Sequence, residues 1–211
     1  DWDPTYTTSA TLNRYSVLYL TNSGNNFTGT IKLDSGVIRM SDGTLNGALG
    51  GGSNDFSFNT TTAPAILDLV GTSQSIGALN GFSASNHFVH NNRQNTTSTL
   101  TVGNGGASGS FAGVLRDYAA LPADNGVITN EGATNAKLAV VKAGAGRQIL
   151  TNVSTYTGGT TINGGSLQIG TGATGQSTAR LGNGSFTVNS GGTLEGNGFI
   201  GFTGLTSSVA S

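Results

Sequence analysis

Few residues in this chain can do chemistry, and their spacing decides how they read. Its two histidines, His87 and His90, lie in NHFVHNN. On a strand, side chains three apart point to opposite faces, so joint metal chelation would need a turn between them. Two ordinary, exposed histidines are expected. The acids are Asp1, Asp3, Asp34, Asp42, Asp55, Asp68, Asp117, Asp124, Glu131 and Glu195, mostly isolated beside Gly or Asn. Such aspartates usually accept hydrogen bonds from their own turn backbone. A carbohydrate-cleaving site would need carboxylates from neighbouring segments converging in one groove, for instance Asp34, Asp68, Asp117 and Glu131; the non-catalytic reading has these well separated and solvated. The one acid-rich patch runs from Arg116 to Glu131 in RDYAALPADNGVITNEG.

Other reactive patterns fail on inspection. GASGS, Gly106 to Ser110, carries Ser where a nucleophile elbow needs its final Gly. Neither GxxxxGK[ST] nor a strand-to-helix GxGxxG occurs. Triplets such as Asn26-Phe27-Thr28 and Asn152-Val153-Ser154 are frequent by chance in an Asn- and Thr-rich chain. With no Cys, disulfides, thiolate metal sites and a Cys nucleophile are excluded. No catalytic, cofactor-binding or metal-ligating residue is assigned, and no cofactor is expected.

Composition narrows the class further. The chain has 211 residues, 35 of them Gly, with 9% charged residues and a formal net charge of −1. Nine Lys and Arg balanced by 10 acids give no basic patch for nucleic acid or an anionic membrane surface. No stretch approaches a transmembrane span. The chain opens on DWDP, so any export signal is expected to be already removed or never present.

Strands must position whatever function exists, because Gly or β-branched residues interrupt almost every window that could hold a helix. Alternating apolar pairs recur at Ile31/Leu33, Ile38/Met40, Phe56/Phe58, Leu67/Leu69, Leu100/Val102, Leu138/Val140, Leu167/Ile169 and Phe186/Val188. FTGTIKLDSGVIRM (27–40) aligns without a gap on YTGGTTINGGSLQI (156–169), and FTVNSGGTLEG (186–196) is a looser third copy. One such copy is too polar to bury a core by itself; stacked copies form continuous apolar ladders and pair their backbones with the coil above and below. In STYTGGTTINGGSLQIG (154–170), Gly158/Gly159 and Gly164/Gly165 are the expected corners. Ile162, Leu167 and Ile169 are expected to point inward and Gln168 outward, where Gln168→Asp should be nearly neutral.

LAVVKAGAGRQILTNVSTYTGGTTINGGSLQIG (138–170) resembles the autotransporter-associated β-strand repeat of bacterial surface and secreted proteins. Lys142, Gly144, Gly146, Leu150, Tyr156, Gly158, Gly159, Thr160, Gly165, Leu167 and Gly170 fall on its pattern, while Gln148 to Asn152 and Thr155 depart from it. The resemblance implies a passenger-like parallel β-helix outside the cell, used for adhesion, surface structure or extension. Nothing in the chain resembles the membrane β-barrel of an autotransporter, so a processed passenger or a free secreted protein is expected.

The expected fold is all-β: a single right-handed parallel β-helix, or β-solenoid, of roughly 7–10 short coils with irregular loops. Residues 1–211 form one domain, with 1–20 a capping or subunit-contact strand, 116–137 an inserted loop, and 199–211 a C-terminal contact segment. Trp2, Tyr6, Tyr15, Tyr19, Phe199 and Phe202 are read as end caps, with a sugar platform as the alternative. The expected function is a non-catalytic extracellular structural protein acting in display, adhesion or head-to-tail assembly, with a homo-oligomer or filament formed through the terminal strands. A carbohydrate-active enzyme or glycan-binding module, with surface glycans as partner, is the alternative.

Overall fold

The computed structural model describes residues 16–119, 132–172 and 177–201. Strands β1 (Val17–Leu20), β3 (Gly36–Met40), β5 (Ala65–Asp68), β8 (His87–His90) and β11 (Val114–Leu115) form sheet A. Sheet B holds β2 (Ile31–Leu33), β4 (Phe56–Phe58), β7 (Leu79–Gly81), β10 (Gly109–Phe111), β13 (Arg147–Leu150), β15 (Gly165–Ile169) and β17 (Gly192–Gly196). Sheet C holds β6 (Ser73–Ser75), β9 (Thr97–Val102), β12 (Lys137–Lys142), β14 (Thr160–Ile162) and β16 (Phe186–Val188). The pairings are parallel throughout. From β5 onward the chain visits A, C and B in turn, and bridges linking Val153, Arg180 and Phe199 hold the A position after β11. This is a three-sheet β-solenoid, and the seven strands of sheet B put its rungs at the lower end of the expected range. Among the described residues there is no α-helix, only a 3-10 turn at Asn104–Gly106.

Register turns alternation into ladders. On sheet B one inward column runs Ile31, Phe56, Leu79, Gly109, Gln148, Leu167, Leu194, and the next runs Leu33, Phe58, Gly81, Phe111, Leu150, Ile169, Gly196. Gly81 lets the aromatic rings of the flanking rungs meet, Phe58 and Phe111 lying 5.5 Å apart. Burial of these columns away from water is the main favourable contribution to the fold.

Sheet A is different, because both of its faces are covered. Its rungs read Val-Leu-Tyr, Val-Ile-Arg, Ile-Leu-Asp, Phe-Val-His and Val-Leu-Arg at 17–19, 37–39, 66–68, 88–90 and 114–116, and these triplets stack in register. The middle residue faces the core. The flanking pair faces outward, yet Val37, Arg39, Ile66, Asp68 and His90 are buried. Two adjacent apolar residues are what a strand buried on both faces carries.

The aligned sequence copies do not occupy equivalent faces. The copy at 27–40 places β2 on sheet B and β3 on sheet A, whereas the copy at 156–169 places β14 on C and β15 on B. What repeats is a strand, a tight corner and a strand; the corner glycines Gly36 and Gly165 both have positive φ (88° and 60°). The unit can turn any edge of the prism, so Phe27 is exposed where the aligned Tyr156 is fully buried. The spacing between strand pairs at 100 and 138 is likewise off register, since Leu100 pairs with Val140 and Ser98 with Leu138.

Ile162, Leu167 and Ile169 are buried as expected, and Gly159 and Gly165 turn corners at positive φ. Gln168 corrects the sequence reading: it is buried, and its amide nitrogen donates to the Gly170 carbonyl at 3.0 Å. Residues 1–15, 120–131 and 202–211 lie outside the described residues, and with them Asp1, Asp3, Trp2, Tyr6, Tyr15, Asp124, Glu131, Phe202 and most of the segments 1–20, 116–137 and 199–211.

Candidate functional site

The reactive side chains are spent on the architecture. His87 and His90 do face opposite ways along β8, but both are buried rather than exposed, because sheet A is covered on each side. His87 points inward. Its Nε2–H donates to the Thr60 carbonyl at 2.6 Å, Nδ1 accepts from the Ser83 N–H at 3.3 Å, and the ring stacks on Phe58. Burial pulls its pKa below the usual histidine value, against the opposing pull of the Thr60 bond.

His90 points outward into a column of charge. Arg39, Asp68 and His90 are in register on β3, β5 and β8, and Arg116, whose N–H donates to the Val89 carbonyl, takes the next place. Arg39 Nε lies 2.9 Å from Asp68 Oδ2, with both side chains buried. Asp68 Oδ1 also accepts from the N–H groups of Val70 and Asn92. Val70 sits at φ 48°, strained for a β-branched residue, and the Asp68 carboxylate holds that turn. Asp68 is therefore buried and paired, not solvated.

The other acids are turn and corner staples. Asp42 Oδ1 accepts from both the N–H and the hydroxyl of Thr44, which lowers its pKa. Asp55 accepts from Ala78 N–H one coil away. Asp117 reaches Leu138 N–H at 2.7 Å, Thr157 N–H at 2.9 Å and the Thr157 hydroxyl at 2.6 Å, tying two successive coils at one corner. Asp34 is exposed, so Asp34, Asp68 and Asp117 each serve a separate place. Among the described residues no three His, Asp or Glu side chains gather into a metal-binding cluster.

The most informative polar residues had drawn no chemical interest. Lys142 lies in the inward column between Val102 and Ile162 and is fully buried. Its ammonium donates to the carbonyls of Ala143 (2.6 Å), Gly144 (2.9 Å) and Gly164 (3.1 Å), gathering one corner from two coils. Burial lowers its pKa. Gln148 faces the core over Gly109, and its amide pairs with both the N–H (3.1 Å) and the carbonyl (2.9 Å) of Leu79, two rungs away. A Cβ on Gly109 would lie 2.7 Å from that carbonyl, so glycine is needed for the side chain to act as a piece of strand. Gln74 does the same at the start of sheet C, bonding Leu49 N–H and the Leu45 carbonyl where no strand lies. Tyr156 is buried with its hydroxyl 2.6 Å from that of Thr160, and burial pushes its pKa up to about 12. The signal for these roles was weak: a Lys or Gln at a position whose neighbours in the alternation are aliphatic.

On the outside, Asn95, Thr96, Thr97, Asn135 and Lys137 line an open hollow of about 270 Å³ at the corner between sheets A and C. Asn95 and Asn135 stack at positive φ, with Asn135 Nδ2 donating to Asn95 Oδ1. Among the described residues no aromatic ring lines it.

The stacked corners around Lys142 and Tyr156 have a counterpart among known proteins, for residues 140–169 match the Passenger-associated-transport-repeat family. This segment is an autotransporter passenger repeat. The wider chain is similar to the adhesin BmaC autotransporter of Brucella suis biovar 1 (strain 1330), 36% identical over 148 residues, which is 70% of this chain and 4% of that protein. The chain thus spans a small fraction of its relative. No solved structure matches. Within the passenger repeat the structure supplies reasons for the pattern residues: Lys142 binds the corner, Gly144 and Gly165 turn at positive φ, Leu150 and Leu167 fill the core, and Tyr156 plugs the coil above Thr160.

Proposed function

We propose that the chain is a non-catalytic, rigid segment of a surface-displayed or secreted adhesin-type passenger, whose function is to hold a rod and present its outer faces for contact. The observation that supports this most directly is the continuous seven-strand ladder of sheet B, backed by side chains that close corners rather than open a cleft. A rod of stacked coils needs no ligand to be stiff, because each inner rung is paired on both sides. Beads coated with the purified chain, tested on host-cell monolayers and matrix-coated surfaces beside a panel of polysaccharides, examine the proposal. Adhesion without polysaccharide breakdown agrees with it; depolymerisation that is lost on Asp34→Ala or Asp117→Ala would overturn it.

A second reading concerns assembly. Leu18, in register above Ile38, is 57% exposed, and Val188, below Ile162, is 43% exposed, so inward columns are open at both outermost described rungs. Each can receive another coil, of the same polypeptide or of a second copy. Head-to-tail self-association is the version that sedimentation tests: concentration-dependent growth supports it, and a monomer at high concentration counts against it.

A further inference from the structure

We propose that Asn163-Gly164, at the corner between β14 and β15, is a self-modification site: it closes to a succinimide with help from Asn189 and reopens to an isoaspartyl link that loosens the Lys142 corner. The inference goes beyond the proposed function and needs no ligand or partner protein. Asn-Gly pairs also begin at Asn46, Asn80, Asn104, Asn183 and Asn197, and at Asn125 outside the described residues. Closure needs a glycine nitrogen able to reach the side-chain carbonyl carbon of the preceding Asn, so backbone bonding and crowding rank these sites.

Gly47 N–H donates to the Ser73 carbonyl, and Gly198 N–H to the Ile169 carbonyl. Gly81 is paired inside β7, Gly184 is pressed on the backbone of Thr157 and Gly159, and the Asn104 amide nitrogen is tied to the Gly52 carbonyl at 2.9 Å. Gly164 differs. Among the described residues its N–H makes no hydrogen bond, and the nearest atom that an added Cβ would meet is the Gly144 carbonyl oxygen at 3.4 Å. Asn163 is exposed, and Asn189 Nδ2 donates to its Oδ1 at 2.7 Å. That donor lies on the oxygen that gains negative charge as the carbonyl is attacked, the role of an oxyanion-hole group.

The chemistry balances with water alone. The Gly164 nitrogen, its proton lost to hydroxide, bonds to Asn163 Cγ; the Cγ–Nδ2 bond breaks and ammonia leaves. Water then opens the ring on one side to give Asp, or on the other to give an isoaspartyl link, in which the main chain runs through Cγ and is one methylene longer. Plain Asp keeps the acceptor for Asn189. The longer link does not fit, because Asn163 N–H donates to the Lys142 carbonyl at 2.8 Å while the Gly164 carbonyl accepts from Lys142 Nζ at 3.1 Å. The extra carbon falls between two contacts to one residue, so at least one of them must break.

The test incubates the folded full chain, wild type and Asn189→Ala, in mildly alkaline buffer at body temperature. Isoaspartate is mapped by electron-transfer mass spectrometry of the digest, with the urea-unfolded chain as reference. In the folded chain Asn163 should react at least about fivefold faster than Asn46, Asn80 or Asn197, the factor that one typical net hydrogen bond withholds, whereas in urea the pairs should react at similar rates. Asn189 is exposed, and Asn189→Ala should slow Asn163 about fivefold in the folded chain and not at all in urea. The isoaspartyl form should melt about 2–8 °C below fresh protein, the loss of one or two net hydrogen bonds in a chain of this size, while Asn163→Asp melts with fresh wild type. Asn163 protected as well as Asn46 and Asn197, an Asn189→Ala rate equal to wild type, or melting unchanged after isoaspartate forms would each overturn the proposal. Should a variant fail to fold, the wild-type site map and melting curves alone decide. None of these readouts involves adhesion, so the site and the proposed function fail separately.

Discussion

Replacing Lys142 by Met keeps most of the aliphatic stem in its inward column and removes only the ammonium. Three carbonyls, on Ala143, Gly144 and Gly164, then lose a donor at 2.6, 2.9 and 3.1 Å inside a corner with no room for bulk solvent. Hydrogen bonds to a charged group are worth about 1.5–3 kcal/mol each, and a buried acceptor left bare costs about 1–3 kcal/mol. The desolvation that depresses the lysine's pKa offsets part of this. A net destabilisation of about 2–4 kcal/mol remains, and at roughly 2–4 °C per kcal/mol for a chain of this size the melting midpoint should drop by about 5–15 °C. Lys142→Arg should not restore stability, because a planar guanidinium cannot point at three carbonyls converging from two coils. Thermal unfolding followed by far-UV circular dichroism measures both variants. A Lys142→Met midpoint within about 1 °C of wild type would mean that the corner carbonyls are satisfied without the amine, and would refute the reasoning.

Gln148→Leu conserves volume but strips both bonds to Leu79, and should cost about 2–4 kcal/mol in chemical denaturation, with amide exchange accelerated at Leu79. Leu167→Asp places a charge in the inward column of sheet B and should prevent cooperative folding, a loss of about 4 kcal/mol or more that circular dichroism would show. Gln168→Asp, on the other face, should cost about 1–2 kcal/mol in the same assay, since it removes the donor to Gly170 and sets a carboxylate beside Glu195 in the next rung. Tyr156 is held protonated by burial, so its contribution is complete below pH ~10 and lost as pH rises towards 12; Tyr156→Phe should be about 2–3 kcal/mol less sensitive to that alkaline range in stability measurements.

The class of fold was legible because alternation and Gly corners are local properties. Pairs such as Phe56/Phe58 and Leu167/Ile169 announce one inward face, and two strands about a positive-φ glycine announce a bend, before any partner is known. The passenger repeat was legible for the same reason, its pattern residues being those that a single corner demands. Which edge of the prism a given copy turns was not legible, since β2–β3 and β14–β15 look alike in sequence and lie on different sheets.

The exposure of His87, His90, Asp68 and Gln168 was misjudged for a related cause. A period of two tells which way a side chain points, and says nothing of what lies beyond the sheet in that direction. The doubled apolar residues of sheet A, Val37-Ile38 and Ile66-Leu67 among them, were the available sign that its outer face is covered. The roles of Lys142, Gln148 and Asp117 had no local sign of comparable strength, because each depends on backbone groups brought near by stacking: Gln148 meets Leu79 across 69 residues of chain, and Asp117 meets Thr157 across 40. The sequence by itself determined the strands, the corners and the inward residues, which follow from short-range sterics and hydrophobic period. Only the tertiary structure decided register, face and the partners of the buried polar groups, since those are set by which coil lands on which.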